Sequence, residues 1–167
     1  QDILSELKYN KGSFPHKAIT EAIKKKESII PDLLKIVEYS TDNIRSLPDE
    51  YFAHIFAMYL LAQFREKRAF QLLINFFSVP GDTVMNLVGD IVTEDLGRIF
   101  ASVFDGDTDL LKSLIENENA DEYIRSAAMS AFVTLVVNGE KSREETLNYF
   151  KELLSSEKLS RAPSHVW

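Results

Sequence analysis

The sequence contains no cysteine among its 167 residues. Disulfide bonds, thiolate zinc sites, iron–sulfur clusters and cysteine nucleophiles are therefore excluded. Glycine is scarce as well, with 6 residues, and no phosphate-binding loop or nucleophile elbow is present. The three histidines, His16, His54 and His165, are scattered and lack the spacing of a zinc site. We therefore expect no cofactor.

Long hydrophobic runs are missing too. The chain has no stretch of about 18 apolar residues that would form a membrane-spanning helix, and its first residues lack the apolar centre of a secretory signal. We therefore expect no membrane partner and a cytoplasmic location, with which the lack of cysteine agrees.

Positive charge is the third shortage, since the formal net charge is −7. The segment from Asp90 to Glu122 alone carries −8, because ten acidic residues there are opposed only by Arg98 and Lys112. A nucleic-acid partner is not expected, because binding to phosphate requires a basic stripe. A protein or peptide partner is expected to be basic, because it would meet the acidic middle of the chain.

Helical spacing of apolar residues is present along most of the chain, whereas alternating strand patterns are nearly absent. Residues 51–64 are apolar on nearly all sides, which predicts a core helix covered by neighbours on several sides. Aromatic clusters such as Phe76-Phe77 are assigned to the core in the same way. The spacing predicts helices over Pro15–Lys26, from Pro31 to about Ser40, from Glu50 to Phe64, Arg68–Phe77, Asp82–Val88, from Thr93 to Val103, from Asp107 or Thr108, Tyr123–Val137, and from Ser142.

Local signals mark several helix ends. Thr93 and either Asp107 or Thr108 are predicted N-caps, and Ser142 with Glu145 forms a predicted capping box. Asn138-Gly139 is a predicted stop. The first helices of successive pairs start near Pro15, Glu50, Asn86 and Glu122, about 36 residues apart.

The fold class that follows is all-α. We expect an α-α superhelix of the HEAT or armadillo kind, built from about four antiparallel helix pairs. It forms one domain over residues 1–167, with irregular ends at 1–14 and 156–167. Trp167 is expected either to pack back on the domain or to lead into further chain.

The last helix pair resembles a HEAT-like repeat over residues 121–128, followed by Ala131, Phe132 and Leu135. In such repeats an acid and an arginine at this spacing tie one repeat to the next, and Asp121 and Arg125 occupy those positions. Residues 14–167 as a whole resemble a bacterial family of uncharacterised proteins, the domain of unknown function 1186, through segments 51–64, 89–96, 121–123 and 161–167. That resemblance implies no activity, and it implies that natural relatives continue beyond Trp167.

Two groups of residues could take part in catalysis or metal binding. Glu50 and His54, four apart on one helix face, could form an acid–base dyad, although a polar pair at the edge of the core is favoured. Asp90, Glu94 and Asp95 form a compact acidic cluster that could hold Mg²⁺ or Ca²⁺, although acids are also enriched at helix starts.

Three functions stay open at this point. A protein- or peptide-binding module is preferred, and its candidate binding residues are Glu50, His54, Asp90, Glu94, Asp95, Asp121 and Arg125. The alternative is a metal-dependent hydrolase that uses the acidic cluster near residues 90–95 together with His54. The third is a purely structural domain of a longer protein.

Overall fold

A computed structural model describes residues 2–156 of the chain. Within that range the backbone forms eleven helices and no strand, which confirms the all-α prediction. An isolated antiparallel bridge joins Tyr9 to Tyr51. The helices are α1 (Ile3–Leu7), α2 (His16–Lys24), α3 (Lys26–Asp42), α4 (Ala53–Phe64), α5 (Ala69–Phe77), α6 (Thr83–Val88), α7 (Ile91–Glu94), α8 (Leu96–Val103), α9 (Thr108–Glu116), α10 (Glu122–Val137) and α11 (Arg143–Ser155).

The structure tests only one of the two predicted irregular ends. The range 1–14 contains the short helix α1, so that part of the prediction is wrong. The predicted irregular end at 156–167 and the expected packing of Trp167 lie, apart from Ser156, outside the described residues. No helix within residues 2–156 combines the length and the apolar character that crossing a membrane would require.

Contacts between consecutive helices and between helices distant in sequence both contribute to the packing. Helix α8 packs against α4, α5 and α10, and α3 packs against α4 and α5. Helix α9 packs against α5 and α10. One connected cluster of buried apolar side chains runs through these contacts from Leu7 to Leu153. Helix α8 therefore lies at the centre of the helical packing.

Two of the predicted helix starts are confirmed by side-chain hydrogen bonds. The backbone N–H groups of Asp109 and Leu110 donate to Oδ1 of Asp107 at 3.0 and 3.2 Å. The N–H of Glu145 donates to Oγ of Ser142 at 3.3 Å. Each bond satisfies a donor that the first turn of a helix leaves without an intrahelical partner.

The predicted helix start at Pro31 is wrong, because α3 begins at Lys26 and Pro31 lies inside it. A proline within a helix removes one hydrogen bond, here the one to the carbonyl of Glu27. Ile30 and Leu33 on either side of Pro31 are buried. Tertiary packing of this apolar face therefore outweighs the local penalty of the proline.

Thr93 is not an N-cap either, because it lies inside the short helix α7 and its hydroxyl donates to the carbonyl of Asp90 at 3.2 Å. Helix α8 starts only at Leu96, after a break at Asp95. The expected start near Asn86 falls within α6, which ends before Gly89. The structure therefore has no helix start at Asn86, where the even spacing of about 36 residues predicts one.

Candidate functional site

An apolar groove opens between α4, α2 and the residues that precede α2, with a volume of about 670 Å³. Two of its wall side chains are substantially exposed, Phe14 at 57% and Tyr59 at 39%. The groove therefore presents aromatic surface that other parts of residues 2–156 leave uncovered. Most of its wall is made of aromatic and aliphatic side chains: Phe14, Ile19, Phe52, Ile55, Phe56 and Leu60.

The spacing of apolar residues on α4 builds one wall. Positions 52, 55, 56, 59, 60 and 63 all line the groove, and positions three and four apart share one face of a helix. Ala57 and Leu61, on the other side of α4, are fully buried. The prediction that α4 is a core helix is confirmed for that side, while the opposite side forms the groove.

Backbone hydrogen bonds hold the segment opposite. The N–H of Asn10 donates to the carbonyl of Glu50 at 2.8 Å, and the N–H of Phe52 donates to the carbonyl of Lys8 at 2.9 Å. These two bonds flank the bridge between the segments before α2 and before α4. The peptide group of Glu50, rather than its carboxylate, therefore helps to position the residues that lead to Phe14.

A charged pair lies beside the groove at Tyr59. The hydroxyl of Tyr59 donates to Oδ2 of Asp95 at 2.5 Å, and the guanidinium of Arg98 pairs with Oδ1. The hydrogen bond from Tyr59, together with Arg98, lowers the pKa of Asp95, so this carboxylate stays ionised. Burial, reinforced by the Asp95 carboxylate, raises the pKa of Tyr59 to about 12, so the phenol keeps its proton.

Glu50 and His54 form neither the acid–base dyad nor the polar pair that was favoured for them. Helix α4 begins at Ala53, so Glu50 lies before the helix and is exposed, whereas His54 is 1% exposed. Nε2 of His54 lies 3.4 Å from the carbonyl oxygen of Leu87, and no hydrogen-bond partner within residues 2–156 reaches Nδ1. Burial lowers the pKa of His54 and favours the neutral ring. The site therefore lacks an acid–base pair at this position.

The three residues of the predicted acidic cluster have different surroundings. Asp90 and Glu94 are exposed at the two ends of α7, while Asp95 is bonded to Tyr59 and Arg98. Within residues 2–156 no three His, Asp or Glu side chains are placed to hold a metal ion together. The described residues thus contain no three-ligand group of the kind that a metal-dependent hydrolase commonly uses.

Asp121 and Arg125 contact different neighbours. Oδ1 of Asp121 accepts a hydrogen bond from the N–H of Tyr123 at 2.8 Å and so caps α10. The side chain of Arg125 is buried, and its Nε donates to the carbonyl of Ile115 at 2.7 Å. Arg125 therefore joins α10 to α9, and neither Asp121 nor Arg125 lines the apolar groove on α4.

A second, more polar groove lies between α7, α8 and α10, with a volume of about 600 Å³. Glu94, Arg98, Tyr123 and Ser130 are among its lining residues. Arg98 belongs to this groove, while Tyr59 belongs to the apolar groove on α4. The contacts of both residues with the Asp95 carboxylate therefore connect the two grooves at the N-terminal end of α8.

Comparison with known proteins gives a family but no activity. The family described as "Protein of unknown function (DUF1186)" matches residues 1–167. The chain belongs to this family. An "Uncharacterized protein" of Chlamydia trachomatis serovar D is 45% identical over 167 residues, which are 99% of this chain and 66% of the relative. A second one, of Chlamydia muridarum, is 44% identical with the same coverage. No solved structure matches significantly.

The sequence patterns of this DUF1186 chain did not point to the apolar groove as a site. Assigning aromatic clusters to the core is confirmed for Phe76 and Phe77, which are fully buried, whereas Tyr59 of the predicted core helix is exposed. The sequence does contain an indication of the groove, because α4 is apolar on nearly all sides and the core covers only part of its surface. The stripe of large side chains from Phe52 to Gln63 marks the face that stays open.

Proposed function

We propose that this DUF1186 chain is a peptide-binding module that takes up a segment of a partner protein in the apolar groove on α4. The groove itself carries the proposal. Its volume of about 670 Å³ lies within the range of ligand pockets, and its aromatic walls stay partly exposed. Contiguous exposed apolar surface on a folded chain is typical of a binding site, because leaving it in water is unfavourable.

Charge decides which peptide fits. Asp95 stays ionised beside Tyr59, and it belongs to the segment from Asp90 to Glu122 that carries −8. A peptide with an apolar anchor in the groove and a lysine or arginine nearby would bring opposite charges together. The proposed partner is therefore a basic protein segment with an aromatic or aliphatic anchor.

The proposed scaffold is an α-α superhelix. Helix α8 packs against both α4 and α10, and α5 packs against both α3 and α9. This pattern is expected when the first helices of successive pairs form one row and the second helices form another. Such a scaffold would hold both grooves open on a fixed framework, which lowers the entropic cost of binding a peptide.

The test starts with random peptides displayed on phage and selected on the purified chain. Enriched peptides are synthesised and titrated by fluorescence anisotropy. We expect an aromatic or aliphatic residue near a lysine or arginine in each binder. Phe14→Asp should weaken binding about tenfold or more, because it removes apolar contact area from an exposed wall. Asp95→Asn should weaken binding less and reduce its dependence on salt.

Leu154→Asp serves as the matched control, because Leu154 is an exposed apolar residue on α11, outside the groove. It should leave peptide affinity unchanged. Equal affinities of the Phe14→Asp variant and the unmodified chain would refute the groove as the site. Binders without basic residues would refute the proposed role of Asp95 while leaving the groove in place.

A further inference from the structure

A small pocket lies between α9, α10, α11 and the turn that joins α10 to α11, with a volume of about 220 Å³. That volume is below the usual range for drug-sized ligands, so the pocket suits a group of a few heavy atoms. Two lysines line it, although the net charge of the whole chain is −7. The polar residues of the lining are Thr108, Lys112, Lys141, Glu145, Thr146 and Tyr149.

Local backbone structure brings the two lysines to this pocket from two different elements. Thr108 and Lys112 are four residues apart on α9 and therefore share one of its faces. The N–H groups of Glu140 and Lys141 both donate to the carbonyl of Leu135, at 2.8 and 3.2 Å, which fixes the turn after α10. Nζ of Lys141 donates to Oγ1 of Thr108 at 2.5 Å. This bond joins the turn to α9 at the pocket.

Neither lysine forms an ion pair with a carboxylate within residues 2–156. Both side chains are half-buried, and both ammonium groups lie over aromatic rings. Nζ of Lys112 is 4.9 Å from the ring centroid of Tyr149. Nζ of Lys141 is 5.1 Å from the ring centroid of Phe104. A ring attracts a cation but provides no full negative charge, so these partly desolvated ammonium groups favour an anion as a further partner.

Two acids beside the pocket make hydrogen bonds to other groups. Glu116 has the helical spacing for an ion pair with Lys112, but its Oε1 accepts a hydrogen bond from the hydroxyl of Tyr149 at 3.3 Å. The side chain of Asp107 caps the start of α9. Glu145 is the one acid in the lining, and it is exposed. With two lysines against one glutamate, the lining carries a formal charge of +1.

We propose that this pocket binds a phosphate group, held by Lys112, Lys141 and the hydroxyl of Thr108. Two lysine charges on separate elements match a tetrahedral dianion, whereas a planar carboxylate is matched best by the parallel N–H groups of an arginine. The hydroxyl of Thr108 accepts a hydrogen bond from Lys141, so its own proton can be donated to a phosphate oxygen. The pocket is separate from the α4 groove, and the proposal does not depend on peptide binding there.

Equilibrium dialysis of the purified chain against radiolabelled inorganic phosphate tests the proposal directly. Sodium chloride keeps the ionic strength constant, because attraction to surface charges depends on it. We expect saturable binding of one phosphate per chain with a Kd of about 1 mM or tighter. Acetate should compete at least about tenfold more weakly than unlabelled phosphate, because it carries a single charge. Phosphoserine distinguishes the source of the group: stronger competition than by phosphate indicates an ester, and weaker competition indicates the free ion.

The lysine variants locate the bound phosphate. Lys112→Gln and Lys141→Gln should each raise the Kd about tenfold or more, because each removes a charge-assisted hydrogen bond. Lys151→Gln is the matched control, because Lys151 is exposed on α11 and lies outside the pocket. It changes the net charge equally and should leave the Kd unchanged. Circular dichroism verifies that each variant is folded.

Glu145→Gln provides a second test that keeps both lysines. It removes the negative charge from the lining and should lower the Kd about two- to fivefold, whereas Glu144→Gln, on the same helix but outside the pocket, should not.

Four results would overturn the proposal. The first is a lack of saturable phosphate binding by the unmodified chain up to about 10 mM. The second is an unchanged Kd in both lysine variants. The third is an equal effect of Glu144→Gln and Glu145→Gln, which would show that binding follows the net charge of the chain. The fourth is competition by acetate that is as strong as that by phosphate.

Discussion

The two sides of α8 are packed by opposite means. On the side of α5 the contact is aromatic, with the ring centroids of Phe100 and Phe77 5.5 Å apart. On the side of α10 it depends on the absence of a side chain: a Cβ at Gly97 would lie 2.9 Å from Cβ of Ser130 and 3.0 Å from the carbonyl oxygen of Ala127. One helix is thus held by bulk on one side and by close backbone approach on the other. Opposite kinds of substitution should therefore break the two contacts.

Removing bulk on the α5 side should have the largest effect. Phe77 is fully buried and contacts both Phe76 and Phe100. Phe77→Ala should lower the free energy of unfolding by about 3–5 kcal/mol, because a cavity remains where the ring was. Urea unfolding followed by circular dichroism measures the change. Phe14→Ala, which removes an exposed ring, should lower the same free energy far less. Similar losses in both variants would contradict the difference in burial.

Adding bulk on the α10 side should have the next largest effect. Gly97→Ala introduces a Cβ against the carbonyl oxygen of Ala127, a backbone atom that cannot turn aside. Overpacking costs about 1–3 kcal/mol, and the higher helix propensity of alanine offsets up to about 1 kcal/mol of that. Thermal unfolding should therefore show a net loss of stability. The double variant Gly97→Ala with Ser130→Gly should recover part of it. A more stable Gly97→Ala variant would show that α8 and α10 move apart easily.

Sequence patterns predicted the C-terminal helices best, because their signals are local. Helix α10 begins one residue before the predicted Tyr123, and Ser142 caps α11 as expected. A capping hydroxyl and the N–H that it bonds are three residues apart, so the sequence contains the whole interaction. The close packing at Gly97 was not predicted, because the atoms that exclude a Cβ belong to another helix.

The candidate site was largely beyond prediction for the same reason. A stripe such as Phe52, Ile55 and Phe56 has the same pattern whether it faces a core or an open groove. The bond between Tyr59 and Asp95 joins residues 36 apart in sequence. Glu50 and His54 do have the spacing of a helical pair, but backbone pairing with the segment before α2 keeps Glu50 out of α4. Tertiary contacts decided all three cases.

The buried polar side chains on the α10 side and the α5 side of α8 differ in how well they are hydrogen-bonded. Beside α10, Arg125 donates a hydrogen bond to the carbonyl of Ile115. Beside α5, His54 lies 6.0 Å from Phe76 and stacks on Tyr51 at 5.7 Å, and no group within residues 2–156 bonds its Nδ1. The aromatic side chains around His54 thus bury a titratable ring without providing a hydrogen-bond partner for its Nδ1.

This difference gives the smallest predicted effect, a pH dependence of stability. Burial lowers the pKa of His54 below its usual value of 6.5, so the unfolded chain binds the proton more tightly than the folded one. Stability should be constant above that value and should fall as the pH drops below it, by at most about 1.4 kcal/mol per pH unit, until the lowered pKa is reached. Urea midpoints between about pH 5 and 8 measure the slope. His54→Gln should remove its histidine component, whereas His16→Gln, at an exposed position, should keep it. An unchanged slope in His54→Gln would mean that the folded chain accommodates the charged ring at this position.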